Sequence, residues 1–170
     1  MAIEQKAPGF EQADAAQQSK QKGLQLQRIY LKDVSFETPG VPAVFTEQWA
    51  PNVDVQLNST AHALKGDTDF EVELTVTVTA KKDDANVYLI EVKYAGVFSL
   101  SGMENEEREF LLGAYCPNLL FPYVRETLST LAAKGTFPQL LLQPINFDAL
   151  FQQAKAQRLA QQEAQGQTIN

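Results

Sequence analysis

Four stretches of the chain alternate apolar and polar side chains with a period of two, the pattern of strands with one buried face. The cleanest is FEVELTVTVTAKK, where Phe70, Val72, Leu74, Val76 and Val78 point one way and Glu71, Glu73, Thr75, Thr77 and Thr79 the other. VYLIEVKYAGVFSL sets Tyr88, Ile90, Val92, Tyr94, Phe98 and Leu100 against Leu89, Glu91 and Lys93. VDVQLNSTAHAL alternates Val53, Val55 and Leu57 with Asp54, Gln56 and Asn58. In LQLQRIYLKDVSFE, alternation puts Leu24, Leu26, Arg28, Tyr30, Lys32, Val34 and Phe36 on one face, and Ile29, Leu31, Asp33, Ser35 and Glu37 on the other. The polar links KGDTD and KKDDAN are turn-forming, so the last three strands are expected to make an antiparallel meander. The link from the first strand to the second, TPGVPAVFTEQWAPN, is long and proline-rich and carries Val44, Phe45 and Trp49. A connection of that length is functional or an irregular crossover.

Helical patterns follow the strands. ENEEREFLLGAYC opens with acids, which suit the positive end of a helix dipole, and Pro117 is expected to interrupt it. A second helical piece, FPYVRETLSTLAAKG, would hold Pro122 in its first turn and stop at Gly135. TFPQLLLQPI reads as extended. Asn146 is placed to cap a last helix with Phe147, Leu150, Phe151 and Ala154 on one face. Strands first and helices last predict an α+β architecture. Residues 1–23, rich in Gln, Ala and Lys, show no apolar period and are expected to form a disordered arm, as is a tail over 161–170. One domain over 24–160 remains.

Charge adds a constraint. The chain of 170 residues has a net charge of −7, and residues 24–103 hold eleven acids against six bases. Such a surface repels nucleic acid and anionic lipid. A basic partner and a merely solubilising surface both account for it. No apolar run is long enough to span a bilayer, and the N-terminus lacks a basic start followed by an apolar block. A cytoplasmic protein without membrane insertion is therefore expected.

Candidate chemistry is thin. Cys116 is the single cysteine and His62 the single histidine, more than fifty residues apart in sequence. A thiolate nucleophile needs a neighbouring base and zinc needs about four ligands, and neither is announced. No glycine-rich phosphate loop is present. The expectation is no enzyme, with no catalytic, cofactor-binding or metal residues and no cofactor. What the chain does hold is aromatic and apolar material in proline-bounded segments, more than one helix layer over one sheet face can cover. Some of it is expected to meet a partner subunit or a ligand, which leaves a carrier of a small apolar ligand open.

GAYCPNLLFPYVRETL, followed by GTFPQLLLQPINFDALF and preceded by RIYLKDVSFETP, closely resembles the SecB family of bacterial protein-export chaperones over roughly residues 24–155. The resemblance implies a four-stranded antiparallel sheet with helices packed on one face, assembled as a dimer of dimers. It implies an ATP-independent cytosolic holdase that binds unfolded precursor proteins and delivers them to the SecA motor, whose zinc-bearing C-terminal tail is basic. On that likeness the SecA-binding face would include Asp33, Glu37, Leu89 and Glu91, and the client groove Phe45, Trp49, Phe121, Phe147 and Phe151. Phe110, Leu111, Ala114 and Cys116 would lie at the dimer–dimer interface of a homotetramer.

Overall fold

Strand β1 (Gly23–Glu37) is followed by a long crossover and then by β2 (Asn52–Ala63), β3 (Asp69–Lys82) and β4 (Ala85–Ser101). The computed structural model describes residues 22–64 and 66–166, without the side chains of 165 and 166. Residues 1–21 of the expected arm and 167–170 of the expected tail lie outside the described residues. The four strands form one antiparallel sheet in the order β1-β4-β3-β2. The meander β2-β3-β4 is present as expected, and the crossover carries the chain from β1 at one edge to β2 at the other. Asp83, at φ 49, takes the left-handed backbone of the tight β3–β4 turn, which Asp tolerates better than most residues.

β1 departs from the expected alternation. It carries two bulges, between Leu26 and Arg28 and between Leu31 and Asp33, and each inserts a residue and switches the faces that follow. Directly opposed residues share a face. Ile29 opposes Gly96 and Leu31 opposes Tyr94, so both join the helix side, while Tyr30 opposes Ala95 and turns outward. The second bulge restores the first phase, with Val34 opposite Val92 and Phe36 opposite Ile90. Ile29 and Leu31 therefore leave the polar face that strict alternation gave them.

The helix side is the core. Val72, Leu74, Val76, Val78, Ile90, Val92 and Phe98 are fully buried there. One helical run over 105–134 covers β3 and β4, built from α1 (Asn105–Phe110), a π turn (Leu111–Tyr115) and α2 (Cys116–Lys134). The expected break at Pro117 does not occur. Pro117 lacks the N–H that would bond the carbonyl of residue 113, and its ring would crowd that turn. The wider π turn immediately before it makes room and lets the helix continue. Pro122 lies inside α2 on its exposed side rather than in a first turn. Leu120, Val124, Leu128 and Ala132, spaced by four, are fully buried against the sheet.

The end of α2 aims the chain back at the core. Thr136, at φ 62, is the residue that turns left-handed, and the N–H groups of Thr136 and Phe137 donate to the carbonyls of Ala133 (3.0 Å) and Ala132 (3.1 Å). This is a Schellman closure. Gly135 stays at φ −77 and is required for space instead: a Cβ there would sit 2.6 Å from the ring of Phe36 and 2.8 Å from that of Phe137. The segment up to Asn146, expected to be extended, forms neither helix nor ladder strand. Asn146 then caps α3 (Phe147–Gly166), its Oδ1 accepting the N–H of Ala149 at 3.0 Å. α3 runs six residues past the expected domain end at 160.

Candidate functional site

The helix run covers the central strands and leaves both edges of the helix side thinly covered. Along β2 this produces a continuous apolar strip. At the crossover end, Phe137 is a hub: its ring lies 4.8 Å from Tyr88, 5.4 Å from Trp49, 5.5 Å from Phe45 and 6.5 Å from Phe36, centroid to centroid. Phe137 is buried, whereas Phe45 remains half exposed at 49%. Val53 and Val55 continue the strip at 40% and 41% exposure. It ends in a groove of about 620 Å³ between β2, the π turn and α3, lined by Leu57, Ala61, Leu112, Phe147, Leu150 and Phe151.

The five aromatic residues expected to form one groove fall into two neighbourhoods. Phe45 and Trp49 sit at the crossover cluster, and Phe147 and Phe151 line the groove under α3. Phe121 is buried behind Phe147, with ring centroids 5.7 Å apart. Sequence reasoning left Phe137, Tyr88 and Phe36 out of the site. The turn signals at Gly135 and Pro138 marked Phe137 as irregularly placed, but nothing local shows four other rings converging on it.

α3 approaches the helix run closely at Gly113, where a Cβ would lie 2.5 Å from the Phe151 ring. Phe151 also packs edge-on against Phe110 at 5.6 Å. Farther along, Lys155 pairs with Glu106 at 3.0 Å and Arg158 with Glu109 at 3.4 Å. The hydrogen bond from Lys155 holds the Glu106 carboxyl below the usual range. Both pairs are solvent-exposed and add little stability. Phe147 and Phe151 anchor α3.

No described helix packs on the opposite, bare sheet face, and its charges divide into two halves. In one, Lys32 bridges Glu71 (2.9 Å) and Glu73, and Tyr30 donates to Glu71. Glu71 is held below the ordinary carboxylate range, by the Tyr30 hydroxyl first and then by Lys32, and the Lys32 ammonium is raised by the same two acids. In the other half lie Asp33, Glu37, Leu89 and Glu91. Asp33 opposes Lys93, Ser35 opposes Glu91 and Glu37 opposes Leu89, so all four share this face. Glu91 accepts a hydrogen bond from Thr77 at 3.0 Å. None of the three acids has an ion-pair partner among the described residues.

Of the expected interface residues, Ala114 and Cys116 are fully buried in the chain's own core, while Phe110 and Leu111 are half-buried on the helix run. Burial pushes the Cys116 thiol up to about 12, so it stays protonated at neutral pH and is a poor nucleophile. His62 is exposed on β2, opposite Glu71. Among the described residues, no group of three or more His, Cys, Asp or Glu side chains is arranged to hold a metal ion. No described helix is long and apolar enough to cross a membrane.

Residues 17–158 match the family model described as preprotein translocase subunit SecB. The protein-export protein SecB of Alcanivorax borkumensis is 58% identical over 152 residues, covering 88% of this chain and 97% of that protein. The SecB of Alkalilimnicola ehrlichii is 54% identical, over 89% of this chain and 81% of its own length. That of Hahella chejuensis is 49% identical, over 89% and 95%. Among solved structures, the fold is similar to the Mycobacterium tuberculosis Rv1957 SecB-like chaperone, determined with a ChAD peptide from the HigA1 antitoxin. Its TM-score is 0.57 at 17% identity, over 72% of this chain and 87% of that one.

Proposed function

This chain belongs to the SecB family, the export chaperones that deliver preproteins to SecA, and we propose that it holds its clients on the helix side of the sheet and meets SecA with the bare side. The observation that carries the first part is the apolar strip along β2, which runs from the exposed Phe45 past Val53 and Val55 to a groove with Leu150 exposed at its rim and the buried rings of Phe147 and Phe151 behind it. Unfolded precursors display scattered apolar and aromatic segments, and an open strip takes such segments without selecting one sequence. Each contact is weak. Several strips on one assembly act at high effective concentration and together bind tightly. Four copies would associate as a dimer of dimers through the helix run. With Ala114 and Cys116 turned into the core, Phe110 and Leu111 carry that contact together with the exposed Tyr115. No nucleotide is required, because release follows when SecA competes or the client folds. The cytoplasm, where precursors emerge, is the site of action.

Asp33, Glu37 and Glu91 around Leu89 suit SecA's basic tail. Their unpaired charges attract it at long range, and Leu89 supplies a small apolar centre. Such a contact is reversible and weakens with salt.

The test is refolding of a slowly folding secretory precursor, diluted from denaturant with near-stoichiometric chaperone and no nucleotide. Arrest of refolding, with no binding to the same precursor once native, is the expected result. Unimpeded refolding would contradict the reading and bring forward a carrier of a small apolar ligand, for which saturation by one fatty-acid-sized molecule per chain is the sign.

A further inference from the structure

The half of the bare face with unpaired acids extends farther than the four residues already placed on it. Asp54, on the edge strand β2, belongs to the same transverse row as Glu37. Glu37 opposes Leu89, Leu89 opposes Thr79, and Thr79 opposes Asp54. At about 4.8 Å between neighbouring strands, the row sets Asp54 about 14 Å from Glu37, with Leu89 between them. A cavity of about 320 Å³ opens between Leu89 and Asp54, lined also by Gln56, Thr79 and Lys81. Gln56 Nε2 donates to Asp54 Oδ2 at 3.1 Å and steadies the carboxylate. No cation among the described residues pairs with it.

We propose that this cavity receives one cationic side chain of the SecA tail and that Asp54 is the residue that selects it. The inference rests on the bare face being the SecA docking surface, with which the cavity is continuous through Leu89. An Arg or Lys stem lies against Leu89 and Thr79 while its charge reaches Asp54. Lys81 also lines the cavity and opposes a cation, so the site's preference depends on Asp54 outweighing it. The spacing defines the ligand further. An extended segment advances about 3.3 Å per residue, so one crossing the strands covers about 14 Å in roughly four residues. It would present an apolar residue to Leu89 and cations about four residues apart, one toward Glu37 and one into the cavity.

Calorimetric titration of the full chain with the zinc-loaded C-terminal tail peptide of SecA tests this. Asp54→Lys is expected to weaken binding at least tenfold at low salt and Asp54→Asn about threefold to fivefold, with client arrest unchanged. Lys81→Gln is expected to tighten binding about threefold. A Glu37→Lys chain titrated alongside separates the two levels of the reading. If Glu37→Lys weakens binding and Asp54→Lys does not, the cavity has no such role and the docking face stands. If neither weakens it, the docking face itself is wrong. If Lys81→Gln weakens binding as Asp54→Lys does, the cavity acts through shape rather than charge and the proposal is overturned.

Discussion

Replacing Phe137 with alanine is expected to lower folding stability by about 3–5 kcal/mol, the range for deleting a buried phenylalanine ring. Phe137 is 5% exposed and its ring is the common neighbour of Phe36, Phe45, Trp49 and Tyr88. Its removal leaves a void that those rings cannot all fill, because Phe36 and Tyr88 are fixed in β1 and β4. Trp49 and Phe45 belong to the crossover and lose their backing. The chain has one tryptophan, so the change is directly visible. Trp49 emission is expected to shift to the red in the folded variant, and client arrest is expected to weaken. Urea titrations at a fixed protein concentration measure the stability change. Phe137→Leu, which fills part of the void, is expected to recover about half of the loss. A loss below about 1 kcal/mol with unchanged Trp49 emission would mean that the crossover does not depend on this ring.

The second large effect is on the other side of the sheet. Glu37→Lys combined with Glu91→Lys reverses two charges around Leu89 that have no ion-pair partner among the described residues, and SecA affinity is expected to fall about a hundredfold or more at low salt, which corresponds to about 2.7 kcal/mol. The gap between variant and parent should narrow as salt rises, since part of it is screened attraction. Glu37 is exposed, and Glu91 accepts a hydrogen bond from Thr77. Stability is therefore expected to change by no more than about 1 kcal/mol. Precursor arrest is expected to continue, because neither residue reaches the helix side. An unaltered SecA affinity would remove the bare face from the mechanism.

Much of this arrangement is legible in the sequence. The unbroken alternation of β3 fixed its buried face residue by residue, and the turn residues fixed the meander. Asn146 announced the start of α3. The misreadings have local physical causes. A bulge leaves no mark in an apolar–polar pattern when residues such as Ile29, Tyr30 and Leu31 suit either face, so the phase of β1 slipped in the middle and recovered by Asp33. Strict alternation therefore gives Asp33 and Glu37 their true face and misplaces Ile29 and Leu31. Pro117 looked like a break because the cost of a proline inside a helix is local, whereas its remedy is a wider turn five residues long. The Phe137 hub depends on contacts among β1, the crossover, β4 and the segment after α2. Such convergence is a property of the sheet order, which no single window of sequence contains. The cavity beside Asp54 was hidden for the same reason, since it exists only once β2 and β4 flank β3.

If one sheet serves two partners on opposite faces, a loaded chaperone can still dock. The direct measurement is SecA affinity with and without saturating unfolded precursor, alongside the mass of the resulting complex. A ternary complex, with SecA affinity changed by less than about threefold, is the predicted result. Mutual exclusion, with precursor displacing SecA in proportion to its occupancy, would contradict it.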